Sequence, residues 1–232
     1  MSRPRSNEAP ARATLWPIEA GEPWSGLQVE KLEVLSRGDF VTGLRIRRPA
    51  GAEAANAARP GLLLLIHDAT GHASAATWSP IAGWLARGGR TEAIALDLPL
   101  HGPRSSAKLS ERLVAGFAAL ARGAFLDRNG TVLVEEFLRQ STHDLGRSLD
   151  ARLALGEIDP DRVALIGVGL GARVADAWLA EDDRVRAAVL VRTGRAPALP
   201  LAAAPERLEL ESGDAPDWAF EAERFLRSRI AL

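Results

Sequence analysis

Thirteen residues, Asp161-Arg-Val-Ala-Leu-Ile-Gly-Val-Gly-Leu-Gly-Ala-Arg173, leave this chain few folds to choose from. Arg162 to Ile166 is a short apolar-rich run bounded by Pro160 and by glycines, which predicts a buried strand. Gly167, Gly169 and Gly171 predict a tight turn, and Ala172 to Ala180 predicts a helix. A buried strand that runs straight into a helix belongs to a layered α/β structure with a mostly parallel sheet.

The remaining pattern agrees. Leu62 to Ile66 is a continuous apolar run of strand length, as expected for a parallel strand covered on both faces. The stretch Ala75 to Ala86 carries Trp78, Ile81, Trp84 and Leu85 at helical spacing, with Gly88-Gly89 behind it, and Thr91 to Leu98 predicts the next strand. Strand, helix and strand at this spacing form a parallel βαβ unit. Leu27 to Leu35 and Phe40 to Ile46 alternate around Gly38-Asp39, which predicts a β-hairpin. Leu109 to Leu126 and Val132 to Leu155 are helical by pattern, separated by a turn at Asp127 to Gly130. Arg184 to Val191 predicts a strand, 196–205 an Ala/Pro-rich linker, Leu208–Leu210 a short strand and Trp218 to Ile230 a closing helix. Residues 1–26 hold four of the 14 prolines and read as a tail pinned by Trp16 or Trp24, which leaves 27–232 as a single domain.

Charge and composition narrow the function classes. A formal net charge of −1 gives no reason to expect nucleic acid or an anionic membrane surface as partner. With no cysteine, disulfides and thiolate metal sites are excluded. No apolar run approaches the roughly 18 residues of a membrane span, and the N-terminus has no apolar signal segment, so the expected location is cytoplasmic.

Three motifs carry a resemblance. His67-Asp68-Ala69-Thr70-Gly71 matches a His-Gly-x-x-Gly loop, with Asp68 in place of glycine. Asp97-Leu-Pro-Leu-His-Gly-Pro-Arg104 is similar to an Asp-x-Pro-x-His-Gly-x-Arg turn, and Asp159 to Val163 leads into Gly167-Val-Gly-Leu-Gly171. In this order the chain resembles the α/β-hydrolases of the dienelactone hydrolase and acyl-esterase type, whose nucleophile elbow reads G-x-S-x-G. The resemblance implies a serine at position 169, where this chain has Gly169. It implies an orienting acid after a seventh strand, for which the interval between Val191 and Leu208 leaves only a linker. It implies a histidine after the last strand, where Asp214 and Ala215 stand and where no histidine follows His143. The expected protein is therefore a hydrolase fold without nucleophile, acid or base. Its pocket would lie at Asp68, Ala69, Thr70, His72, His101, Gly169 and Leu170, with backbone N–H groups of Leu170 and the Asp68–Ala69 region free for a small anionic ligand. No cofactor and no metal are expected.

Other readings of the same residues compete. Gly167-x-Gly169-x-x-Ala172 satisfies a dinucleotide fingerprint, with Arg192 placed to hold an NADP 2′-phosphate. His67, His72, His101 and Asp68 gather at strand ends, where metal ligation competes with hydrogen bonds that hold the loops. His143, Asp144 and Arg147 sit at helical spacing, and the Asp144-x-x-Arg147 pair reads as a helix-to-loop tether. An active esterase remains the alternative, with Thr70 and Ser105 as the candidate hydroxyls. The shortened sheet predicts a charged edge at Glu206, Arg207, Glu209 and Glu211, or a homodimer formed across that strand and the closing helix.

Overall fold

The computed structural model describes residues 10–49, 58–87, 90–192, 206–211 and 218–230. In chain order these form β1 (Ala13–Ile18), β2 (Gln28–Ser36), β3 (Asp39–Arg47), β4 (Gly61–Ile66), α1 (Ser79–Arg87), β5 (Thr91–Leu96), α2 (Ala107–Ala121), α3 (Arg128–Ala154), β6 (Val163–Val168), α4 (Leu170–Leu179), β7 (Ala187–Arg192), β8 (Glu206–Glu211) and α5 (Trp218–Ile230). The strands make one sheet in the order β1-β2-β3-β5-β4-β6-β7-β8. Pairing is antiparallel from β1 through β3 to β5 and parallel from β5 to β8.

The central strand explains the layering. Leu62, Leu64 and Ile66 of β4 join the apolar cluster beneath α2, α3 and α4, while Leu63 and Leu65 join the cluster beneath α1 and α5. Successive side chains of a strand point to opposite faces, so a run with no polar residue demands cover on both sides. Each such leucine contributes roughly 1.5–3 kcal/mol when fully buried. No helix among the described residues is long and apolar enough to cross a membrane.

Several boundaries differ from the sequence expectation: α2 ends at Ala121, not Leu126, and β7 starts at Ala187, not Arg184. Residues 13–18, expected as tail, form β1 and pair with β2 along its whole length. Pro17 breaks the strand signal, and an outermost strand tolerates proline because one row of its backbone groups faces no partner. Of the two candidate pins Trp24 is the one buried, at 2%, whereas Trp16 is exposed. The hairpin turns at Arg37-Gly38, one residue early, with φ of 51° and 81° at the two positions. Two positive φ values match the twist of a two-residue hairpin. Helix α3 begins inside the expected turn, because the Asp127 carboxylate caps it by accepting from Gly130 N at 2.6 Å. At the far edge, β8 pairs in parallel with β7, and its Leu208 and Leu210 pack into the cluster beneath α5. The linker 196–205, Gly88-Gly89, Asp214 and Ala215 lie outside the described residues.

Candidate functional site

Strand β6 leaves the sheet between β4 and β7 and turns into α4 through Gly167, Val168 and Gly169. Two of the three glycines provide room for close packing. A Cβ on Gly167 would lie 2.7 Å from the Gly171 carbonyl oxygen and 2.9 Å from Ala172 Cα. A Cβ on Gly171 would run into the Ile66 carbonyl of β4. The glycine spacing that imitates a dinucleotide fingerprint is thus set by how tightly α4 sits on β4 and β6. Gly169 serves a different end. Its φ of 54° and ψ of −109° lie in a conformation that costs a side-chain-bearing residue about 1–3 kcal/mol.

A Cβ at Gly169 would also overlap the carboxylate of Asp68. Asp68 follows β4, and its Oδ1 accepts from Ala69 N at 2.7 Å and from Leu170 N at 2.8 Å. Leu170 opens α4, and the Gly169 before it has no side chain with which to cap the helix. Asp68 supplies the cap from 102 residues away, where its negative charge meets the positive end of the helix dipole.

Above this contact lies a cleft of about 200 Å³. Of the expected pocket residues, Asp68, Ala69, Gly169 and Leu170 line it, and Thr70, His72 and His101 do not. Thr70 and His72 are exposed. The His101 ring nitrogens lie 2.8 Å from the Pro99 carbonyl and 2.9 Å from the Ala69 carbonyl, so this residue ties two loops together. Sequence reasoning missed Val114, Phe117, Ala118 and Ala121 of α2, together with Arg173 of α4. Their only signal was a helical period, which does not say what a face looks onto. Arg192 lines the cleft as well, but its Nη2 reaches Asp176 at 2.9 Å and its Nε reaches Glu209 at 3.2 Å. It is engaged at the sheet edge and is not presented to a phosphate.

His67 is 1% exposed and hydrogen-bonded through both ring nitrogens. Nε2 accepts from Leu98 N at 3.1 Å, so Nδ1 carries the proton and donates to the Asp68 carbonyl at 2.7 Å. Burial pushes its pKa down to about 4 from 6.5, against the raising effect of the Asp68 backbone hydrogen bond. Below pH 6.5 the unfolded chain protonates this histidine while the folded chain does not. Its contribution is therefore complete above pH 6.5 and is lost as pH falls toward 4. That loss amounts to about 3 kcal/mol at most, from 1.36 kcal/mol per pH unit. Buried Asp97 and Asp144, whose pKa values are raised by desolvation, act in the opposite sense at the acid end. Urea unfolding between pH 7 and 4 should show the decline, and His67→Gln should flatten it; an unchanged slope in that variant would assign the decline elsewhere. Among the described residues no three His, Asp or Glu side chains are placed to hold a metal ion.

A serine, a histidine and an aspartate do meet elsewhere. Ser36 Oγ donates to Asp144 Oδ1 at 2.7 Å and lies 3.0 Å from His143 Nδ1. Arg104 pairs with the other oxygen of Asp144 at 2.9 Å, and Arg147 Nη2 reaches the Leu35 carbonyl at 3.4 Å. The serine is 2% exposed and its proton is committed to the carboxylate. The cluster therefore ties α3 to the end of β2: the sequence pattern predicts a tether from Asp144 and Arg147 to a loop, and the structure places it on Leu35 and Ser36 of the hairpin with His143 beside it.

No protein-family profile and no curated protein matches the chain. Solved structures do. A cold-adapted esterase from an Arctic intertidal metagenomic library is similar over 92% of this chain and 97% of its own, with 16% identity and a TM-score of 0.61. An acetyl xylan esterase from Paenibacillus sp. R4 is similar over 79% of this chain and 54% of its own, with 16% identity and a TM-score of 0.56. Acetyl xylan esterase 1 from Thermoanaerobacterium sp. is similar over 77% and 51%, with 17% identity and a TM-score of 0.54. The chain has the α/β-hydrolase fold. It spans about half the length of the acetyl xylan esterases it matches. In an α/β-hydrolase the oxyanion hole is made by the N–H of the residue after the nucleophile and an N–H from the loop after the third strand of the shared core. The corresponding donors here are Leu170 N and Ala69 N, and both point at Asp68 Oδ1. The two backbone donors expected to be free for an external anion are already occupied by an internal one.

Proposed function

We propose that this α/β-hydrolase-fold chain is a non-hydrolytic protein, a pseudo-hydrolase whose remaining cleft takes a small ligand. One observation carries the reading: Asp68 Oδ1 sits on both donors that would stabilise a tetrahedral oxyanion. Acyl transfer needs those donors empty in the ground state and aimed at charge that appears only in the transition state. A fixed carboxylate fills that space and places negative charge where more would have to develop. Gly169 offers no nucleophile beside it, and the nitrogens of His67 and His101 are committed to backbone groups.

An active esterase is the second reading. It is favoured by the retained elbow backbone at Gly169 and by the esterases among the similar structures. It would need Thr70 or Ser105 as nucleophile, and both hydroxyls are exposed and make no side-chain hydrogen bond among the described residues. Incubation with a fluorophosphonate probe followed by intact-mass measurement separates the readings. The non-hydrolytic reading expects no adduct and no p-nitrophenyl acetate turnover above that of a protein without esterase activity. A stoichiometric adduct mapped to Thr70 or Ser105 would establish the other.

A further inference from the structure

Resting on the non-hydrolytic reading, we infer that the cleft over Gly169 binds a small monocarboxylate with an apolar tail, its carboxylate held by Arg173 and its tail lying against Val114, Phe117 and Ala118 of α2. Three charged groups line the cleft, and their partners decide which charge is left unmet. Asp68 is met by the Ala69 and Leu170 N–H groups. Arg192 is met by Asp176 and Glu209. The partly buried Arg173 guanidinium makes no hydrogen bond or ion pair among the described residues. Burial first, and then the neighbouring Arg192, lower its pKa, and the attraction of Asp176 does not offset them. Asp176 is already bonded to Arg192 at 2.9 Å and lies 3.5 Å from Arg207. Among the described residues the unmatched charge in the cleft is therefore positive.

A guanidinium in a half-dry site binds a carboxylate through paired N–H donors. The volume sets the ligand's size. About 200 Å³ is the room of some six or seven liquid waters at ~30 Å³ each, which suits a carboxylic acid of roughly six carbons. Asp68 sets the charge limit, because a dianion in so small a cleft would face its carboxylate.

The test is calorimetric titration of the whole protein with hexanoate and with hexylammonium. Hexanoate should bind, hexylammonium should not, and Arg173→Gln should weaken hexanoate about tenfold or more. Ala118→Trp, which fills the apolar side of the cleft and leaves Arg173 in place, should abolish binding with the unfolding midpoint within about 3 °C of the parent. It keeps the test decisive should Arg173→Gln not fold. Three results would overturn the inference: no heat with hexanoate at millimolar concentration, equal affinity in Arg173→Gln, or binding of hexylammonium as tight as that of hexanoate. Failure with hexanoate in a protein that the fluorophosphonate does not label removes this ligand class alone. Hexanoate binding in a protein that is labelled keeps the cleft and removes the non-hydrolytic reading.

Discussion

Gly169→Ser should destabilise the protein by about 4 kcal/mol, and Asp68→Gly should recover part of that loss in the double variant. The serine meets two independent penalties. Its backbone must hold φ near 54°, which costs a non-glycine residue about 1–3 kcal/mol. Its Cβ must also share space with the Asp68 carboxylate, and overpacking of that kind costs about 1–3 kcal/mol. Asp68→Gly on its own removes the cap on Leu170 N and should cost about 1–2 kcal/mol. If the two side chains exclude one another, the double variant is more stable than the sum of the singles by about 1–3 kcal/mol. Urea unfolding of the four proteins, with unchanged slopes, measures that coupling. Additivity within about 0.5 kcal/mol would mean that the two positions do not compete for the same space. None of the four should hydrolyse esters. The histidines on the loops after β4 and β5 would still have their nitrogens bonded to the backbone, with neither free to take a proton from the introduced hydroxyl.

Glu92→Ala should lower the melting temperature by roughly 10 °C, through a loss of about 3–5 kcal/mol. Glu92 lies in β5, 2% exposed, between two arginines from distant parts of the chain. Its Oε2 accepts from Arg45 Nε and Nη2 at 3.0 and 2.8 Å, and its Oε1 accepts from Arg152 Nε and Nη2 at 2.9 and 2.5 Å. The arginine side chains are 7% and 0% exposed, so removing the carboxylate takes the nearest counter-charge from two positive charges in the interior. Glu30 and Glu157 would remain, at 3.0 Å from Arg45 and 3.2 Å from Arg152 respectively. They are the reason the expected loss stays at the figure for one broken pair and does not double. Replacing Glu92 by Leu together with Arg152 by Met should cost less than Glu92→Ala, because the charge and its partner leave together. A double replacement as damaging as the single would show that packing, and not charge, dominates the site.

Much of this architecture is legible along the chain. The unbroken apolar run at Leu62 to Ile66 requires two covered faces, and the structure supplies α4 on one and α1 on the other. The alternation on either side of Arg37-Gly38 specifies a hairpin, and the glycines after Ile166 specify a strand that turns at once into a helix. These are local signals: a period of two or of 3.6, or a residue that alone tolerates a given backbone angle. Where the local signal is weak the reading slips, as at β1, where only Ala13 and Leu15 are half-buried and the internal Pro17 leaves little alternation to see.

The site follows a different logic. Gly169 without its serine, and Asp68 where the resembling loop has glycine, are each visible in the sequence as separate departures. Nothing along the chain states that one fills the space the other vacates. Only the adjacency of β4 and β6 in the sheet brings positions 102 residues apart into hydrogen-bond contact. The same holds for Arg173, where the sequence offers a charged residue on an amphipathic helix and the tertiary structure engages Asp176 and Glu209 with Arg192. The sequence by itself determined most of the strands and helices and that glycine stands at position 169, where the resembling elbow has serine, since periodicity and residue identity act over a few residues. The tertiary structure decided what occupies the backbone N–H groups of Ala69 and Leu170 and, among the described residues, which charge in the cleft stays unmet, because electrostatic partnership depends on distance through space, which the order of residues along the chain does not encode.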